Sequence, residues 1–136
     1  MGECLFCAAV SGSLAVASVY DSSTVFAFLD HRPVFKGHVL VVPRQHVETL
    51  TDLPVSDLGG YFGAVQRITA AVTVGLDAGG TFVALNNRVS QSVPHLHTHV
   101  VPRTKGDGLR GFFWPRTKYA SPDETADYAA RIAAAL

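Results

Sequence analysis

Three of the chain's six histidines fall within five residues, in the run His95-Leu96-His97-Thr98-His99. Imidazole is the side chain best suited to chemistry near neutral pH. It moves protons, attacks as a neutral nucleophile and ligates metals. Alternate residues of a strand point to one face. In a strand, then, His95, His97 and His99 form a row, and Leu96, Thr98 and Val100 pack on the other face. A single histidine reads most simply as a satisfied core residue. Three aligned imidazoles do not, because they cannot all be buried and charged. The row is a metal site, a phosphate-handling site, or both divided between neighbours.

The only two cysteines, Cys4 and Cys7, are spaced C-x-x-C. A structural disulfide is not expected in a reducing cytosol. A thioredoxin-like pair follows a strand and opens a helix, and nothing before Cys4 reads as a strand. Half of a metal site remains, as does the plain reading of two small residues tucked under a sheet. Two divisions of the histidines stay open. The row alone could hold a three-histidine catalytic zinc. Alternatively, one end of it joins both cysteines and a further histidine in a closed tetrahedral site, and the middle histidine is free as a nucleophile.

The elements that must position these groups follow from periodicity. Ala15 to Tyr20 and Thr24 to Leu29 read as strands around the turn Asp21-Ser22-Ser23. Val39 to Val42 is an apolar strand ending at Pro43. Ser56 is expected to cap a helix running to about Val74, with Leu58, Tyr61, Phe62, Val65, Ile68 and Val72 on one face. Thr81 to Leu85 reads as a strand, Asn86 to Pro94 as a polar loop, and His95 to Val101 as a strand. Ser121, Pro122 and Glu124 form a capping box for a second helix. The class is α+β, a mainly antiparallel five-stranded sheet with two helices, in one domain over residues 1–136.

Composition narrows the function. The chain has 136 residues, 48% hydrophobic and 16% charged, which is enough apolar surface for a real core and the reverse of a disordered chain. Eleven Lys and Arg offset eleven Asp and Glu, so there is no global basic field for nucleic acid or an anionic membrane surface. No apolar run approaches the ~18 residues that span a bilayer. A cytoplasmic protein is expected.

The run His95 to Val101 resembles the His-φ-His-φ-His-φ-φ signature of the histidine triad superfamily, with Thr98 the weak apolar position. The likeness extends along the chain. Cys4-Leu5-Phe6-Cys7 resembles the superfamily's N-terminal C-x-F-C variant. Ala27-Phe28-Leu29-Asp30 with Pro33 resembles its ribose-binding segment. Gly37-His38-Val39-Leu40-Val41-Val42-Pro43-Arg44-Gln45-His46 resembles its G-H-x-L strand. The zinc-bearing, Hint-like branch of nucleotide hydrolases and transferases is the best match.

The resemblance implies that His97 attacks the α-phosphorus of a nucleotide and forms a nucleotidyl-histidine that water hydrolyses. It implies that His99 donates to a non-bridging oxygen, that Gln91 and Ser92 contact phosphate or leaving atom, and that Asn86 donates from the opposite loop. Asp30 would accept the ribose hydroxyls, and Phe28 with Leu5 or Phe6 would wall the base. Cys4, Cys7, His46 and His95 would hold a structural zinc ion. His38 would be structural, and His31 a loop residue. A homodimer with a continuous sheet is implied too, and the helix face of Tyr61, Phe62 and Val65 offers surface for it. Two departures bear on substrate. Ser90 stands where a glycine is usual, and the Asn86–Gln91 loop is short and carries Arg88. Five basic residues between Arg103 and Lys118 form either a solvated face or an anion-attracting rim, with Trp114 beside it in reach of a partner's site. A non-catalytic nucleotide-binding zinc protein and a zinc hydrolase with a metal-bound water are the competing readings.

Overall fold

The structure, a computed structural model, describes residues 3–109 and 116–136. Its centre is a five-stranded sheet of order β1-β2-β3-β5-β4. The strands are β1 (Ser18–Asp21), β2 (Val25–Leu29), β3 (Val39–Pro43), β4 (Gly80–Leu85) and β5 (Thr98–Arg103), and every neighbouring pair is antiparallel. Three α-helices lie among the described residues: α1 (Leu5–Ser11), α2 (Val55–Gly75) and α3 (Pro122–Ala134).

Both faces of the central strands are covered, which is why β2 and β3 read as unbroken apolar runs. On one face Val25, Ala27, Val39, Val41, Leu96 and Val100 pack against Tyr61, Ala64, Val65, Ile68 and Val72 of α2. That helical spacing of three and four is the expected apolar stripe. On the other face Phe26, Phe28, Leu40 and Val42 pack against Phe6 and Ala9 of α1. The histidine row belongs to this second face.

Four expectations are corrected. The helix α1 was not foreseen. It spans seven residues, its N-cap is Cys4, whose Sγ accepts the Cys7 N–H at 3.4 Å, and Gly12 closes it in the left-handed region. Such a short element shows no helical period, and cysteine is not among the usual cap residues. The helix α2 begins at Val55, so Ser56 lies within its first turn and the cap position is Pro54. The strand β5 starts at Thr98, not His95. Residues 95–97 are held by other bonds: the Leu96 N–H donates to the Val47 carbonyl at 2.7 Å and the His95 N–H to that of Val93 at 2.8 Å. Of the three residues offered for a dimer surface, Tyr61 and Val65 are buried in this chain's own core and Phe62 is exposed. The second expected helix stands as α3, with the Glu124 N–H on Ser121 Oγ at 3.1 Å.

Tyr61 pins α2 to the sheet. Its buried hydroxyl donates to the Val41 carbonyl at 2.8 Å and accepts from Thr98 Oγ1 at 2.7 Å. Thr98 lies between His97 and His99, so this pair fixes the parity of the row. Tyr61→Phe leaves both partners buried and is expected to cost ~1–3 kcal/mol, read as a lower urea midpoint at unchanged slope. An unchanged midpoint would remove this bond from the account.

Candidate active site

His95, His97 and His99 lie side by side on the α1 face, although only His99 is within β5. The ring centroids of His97 and His99 are 5.0 Å apart, and Phe6 meets His97 edge-on at 4.9 Å and His95 at 6.0 Å. Leu96, Thr98 and Val100 point into the α2 face and are fully buried.

The partners of each ring nitrogen assign its proton. His97 Nδ1 is 2.8 Å from the His95 carbonyl, an acceptor only, so Nδ1 carries the proton and Nε2 keeps its lone pair. His38 Nδ1 accepts the Val34 N–H at 3.1 Å, so its Nε2–H donates to His99 Nδ1 at 2.9 Å. His99 therefore presents Nε2–H. His95 Nε2 donates to the Pro43 carbonyl at 2.9 Å and keeps its Nδ1 lone pair.

That lone pair faces sulfur. His95 Nδ1 lies 3.4 Å from Cys4 Sγ and 3.5 Å from Cys7 Sγ, and His46 Nδ1 lies 3.3 Å from Cys7 Sγ. One donor atom from each of the four residues falls within 4.8 Å of all the others. Two thiols and two imidazoles are the donor set of a closed zinc site, and a carbonyl on the far nitrogen of a ligating histidine is the usual outer support. Partial burial, with Cys4 and Glu3 close by, pushes the Cys7 thiol up to about 11. A divalent cation held among the sulfurs would reverse that balance. The residues fit the metal.

On the other side of His97 are Asp30, His38 and His99. Asp30 Oδ1 accepts the Arg32 N–H at 2.9 Å, and its Oδ2 lies 3.8 Å from His38 Nδ1. Phe28 is buried beneath, 5.5 Å from Phe6. Of the two candidate wall residues in α1, Phe6 faces the row and Leu5 is exposed.

The loop after β4 is tied down by its own polar groups. Gln91 Nε2 donates to the Glu48 carbonyl at 2.6 Å, and its Oε1 accepts the Arg88 N–H at 2.8 Å. Asn86 Nδ2 donates to the Ser90 carbonyl at 3.3 Å. Both amides are engaged by backbone groups in this arrangement. Ser92 is exposed just before it. Arg88 and Ser90 both sit in the left-handed region, at φ 69° and 62°. Ser90 thus occupies backbone space that favours glycine. In the basic segment, Arg103 is paired with Asp107 at 2.6 and 3.0 Å and donates to the Leu109 carbonyl, so it is not free for an anion. Arg110 and Trp114 lie outside the described residues.

His38 is the group that sequence reasoning placed in a merely structural role. Parity could have found it: it precedes Leu40 and Val42 by even steps, and those residues share the α1 face with the row. Burial lowers the pKa of His38, opposed by Asp30 and aided by His97. Burial, His97 and His38 together take His99 down to about 4, opposed by Asp30.

His99 is thus neutral in the folded protein where an unfolded histidine, at ~6.5, begins to charge. The folded pKa lies below the unfolded one, so the unfolded state binds more protons in this window. The stability that His99 contributes is full above about pH 6.5 and is lost as the pH drops toward 4. Urea unfolding of wild type and His99→Gln between these limits is expected to show the steeper acid loss in wild type. Parallel curves would contradict a buried neutral His99.

A model of the HIT domain matches residues 14–106. A HIT-family crystal structure from Bacillus subtilis superposes with a TM-score of 0.88 at 34% identity, covering 99% of this chain and 98% of that one. A zinc-bound histidine triad family protein from Mycobacterium smegmatis is 36% identical, with a TM-score of 0.74 over 98% of this chain and 97% of that one. The adenosine 5'-monophosphoramidase of Schizosaccharomyces pombe is 28% identical over 90% of each chain. With the family's domain matched over residues 14–106, more than half of this sequence, the chain belongs to the HIT family, which includes nucleotide hydrolases.

Proposed function

We propose that the protein is a nucleotide hydrolase or transferase that cleaves at the α-phosphate of a purine nucleotide conjugate through a nucleotidyl-histidine intermediate on His97. One observation carries this. His97 is the row member whose Nδ1–H is held by a backbone carbonyl, at 2.8 Å, while its Nε2 is left with a free lone pair. In the first step that lone pair attacks phosphorus and the bond to the leaving group breaks in line. The leaving group takes up one proton from solvent. In the second step water attacks phosphorus, the P–N bond breaks, Nε2 recovers its lone pair and the attacking water releases one proton to solvent, so that overall one water is divided between phosphorus and leaving group. The His95 carbonyl stabilises the charge that the ring carries in between.

His99 Nε2–H is suited to a non-bridging oxygen, and the bond from His38 fixes that tautomer. Donors aimed at charge that develops in the transition state are worth more in a water-poor site. Asp30 is an acceptor for the ribose hydroxyls, with Phe28 and Phe6 as apolar walls. Gln91 and Ser92 serve the phosphate or leaving atom. For Gln91 this requires release from Glu48, and for Asn86 release from Ser90. A phosphoramidate is the favoured conjugate, in line with the activity named for the fission-yeast relative. Dinucleoside polyphosphates and adenylyl sulfates share the same core.

Cys4, Cys7, His46 and His95 would hold a zinc ion, which when bound supplies a rigid tetrahedral cross-link. With four protein ligands it has no open position for water, which disfavours the metal-bound-water reading. The chain is also proposed to pair with a second copy along β4. That strand is an edge of the sheet, and Val83 on it is exposed.

Incubation with a nucleotide labelled at the α-phosphate is expected to label wild type. His97→Asn should abolish labelling while nucleotide binding stays within about tenfold. His99→Ala should slow turnover by ~10²–10³, the cost of one oxyanion-type donor, and still label. Normal labelling of His97→Asn would assign the nucleophile elsewhere. Protein purified without chelator should carry one zinc per chain, and a content well below that would reject the metal assignment. Light scattering at micromolar concentration should give twice the 14.5 kDa of one chain. A monomer mass would reject the paired β4 edge.

A further inference from the structure

The four residues of the Cys4–Cys7–His46–His95 cluster are joined to the nucleophile by two short paths, and a third path ties them to the loop that flanks the row. The first runs through His95 itself. Its Nδ1 faces both sulfurs, its Nε2 is fixed on Pro43, and its own carbonyl receives the His97 proton at 2.8 Å. A shift of the His95 ring and backbone is therefore a shift of the acceptor that sets the tautomer and plane of His97. The second path is Phe6, which lies between the two cysteines on α1. Its buried ring meets His97 edge-on at 4.9 Å and so limits the tilt of that ring. A seven-residue helix is too short to hold itself in water, so the placement of Phe6 depends on what anchors α1. The third path leaves His46. Two residues later, the Glu48 carbonyl holds Gln91 at 2.6 Å, and Leu50 N–H is held by Asn87 Oδ1 at 2.8 Å. The loop that flanks the row hangs from the segment that carries a cluster ligand.

We infer that His95 and Phe6 are positioning residues for His97, so that closure of the Cys4–Cys7–His46–His95 cluster by a divalent cation of the zinc type sets the orientation of the nucleophile as well as the anchorage of α1. This rests on the proposed role of His97 and adds a dependence that a purely structural metal would not have. A nucleophile displaced by a fraction of an ångström loses in-line geometry while the nucleotide still binds. The effect belongs in kcat, with KM little changed.

The test uses the full chain in three forms: wild type, Cys7→Ser and Phe6→Leu. Phe6→Leu retains all four cluster ligands. Zinc is removed with a chelator and restored by titration with zinc sulfate, and circular dichroism follows the fold. Proton–nitrogen NMR of the imidazole rings reads the His97 Nδ1–H directly. Adding zinc to the metal-free protein should sharpen that resonance and slow its exchange with water. Turnover of adenosine phosphoramidate should rise ~10–100-fold in kcat with KM within about threefold, the scale expected for a small misplacement. Phe6→Leu should bind one zinc and still show faster exchange and a lowered kcat. The proposal is overturned if metal-free protein that remains folded keeps the wild-type resonance and kcat, or if Phe6→Leu matches wild type in both. If metal-free protein and Cys7→Ser unfold, the dependence of α1 on the cluster stands, and Phe6→Leu decides whether α1 positions His97. If no preparation forms a nucleotidyl-histidine, the activity reading fails, and the Nδ1–H resonance still decides the coupling.

Discussion

The bond from His97 Nδ1–H to the carbonyl of His95 is the interaction on which the site depends. A ring that gives its only proton to a carbonyl must keep the opposite nitrogen bare. That is the difference between an imidazole that attacks and one that donates. Everything near it serves to hold this geometry. Tyr61 and Thr98 lock the residue between His97 and His99 into the α2 face, so that both rings must face α1. Pro43 cannot donate, and its carbonyl takes the His95 side chain. The row is thus fixed from the α2 side, and its rings face α1, Asp30 and His38.

Burial sets the second condition. Three imidazoles with His38 as a fourth would repel one another if charged, and desolvation already disfavours charge. The chain resolves this by giving each ring a separate partner: sulfur and Pro43 for His95, the His95 carbonyl for His97, His38 for His99, Val34 for His38. The row divides into a sulfur-facing end, a bare nitrogen and a donor. That division makes covalent catalysis by the middle residue chemically reasonable without a metal at phosphorus.

Much of this was legible in the residues, for identifiable reasons. A period of two is direct evidence of a shared face, so the opposition of His97 and His99 to Thr98 and Val100 follows from spacing. The apolar spacing of α2 and the Ser121 cap of α3 are equally local signals. The start of β5 was not legible. It depends on Val47 and Pro43, some fifty residues upstream, which take up the 95–97 backbone and the His95 ring. The short helix α1 was hidden for a related reason: it is held by Phe6 and Ala9 packing under the sheet, and its seven residues, although they include Leu5, Ala8 and Ala9, are too few to show a helical period. The amides of Asn86 and Gln91 could be placed near the site by sequence, but not the bonds that now occupy them. The basic segment misled at Arg103, because its partner Asp107 lies four residues on in a turn.

The central claim is that phosphorus is displaced twice, first by His97 and then by water. Each in-line displacement inverts the configuration at phosphorus. The most direct measurement is the stereochemical course of cleavage of a nucleotide conjugate made chiral at the α-phosphorus with sulfur and oxygen isotopes. Two displacements predict net retention. Net inversion would mean a single attack by water, and would contradict the covalent role of His97.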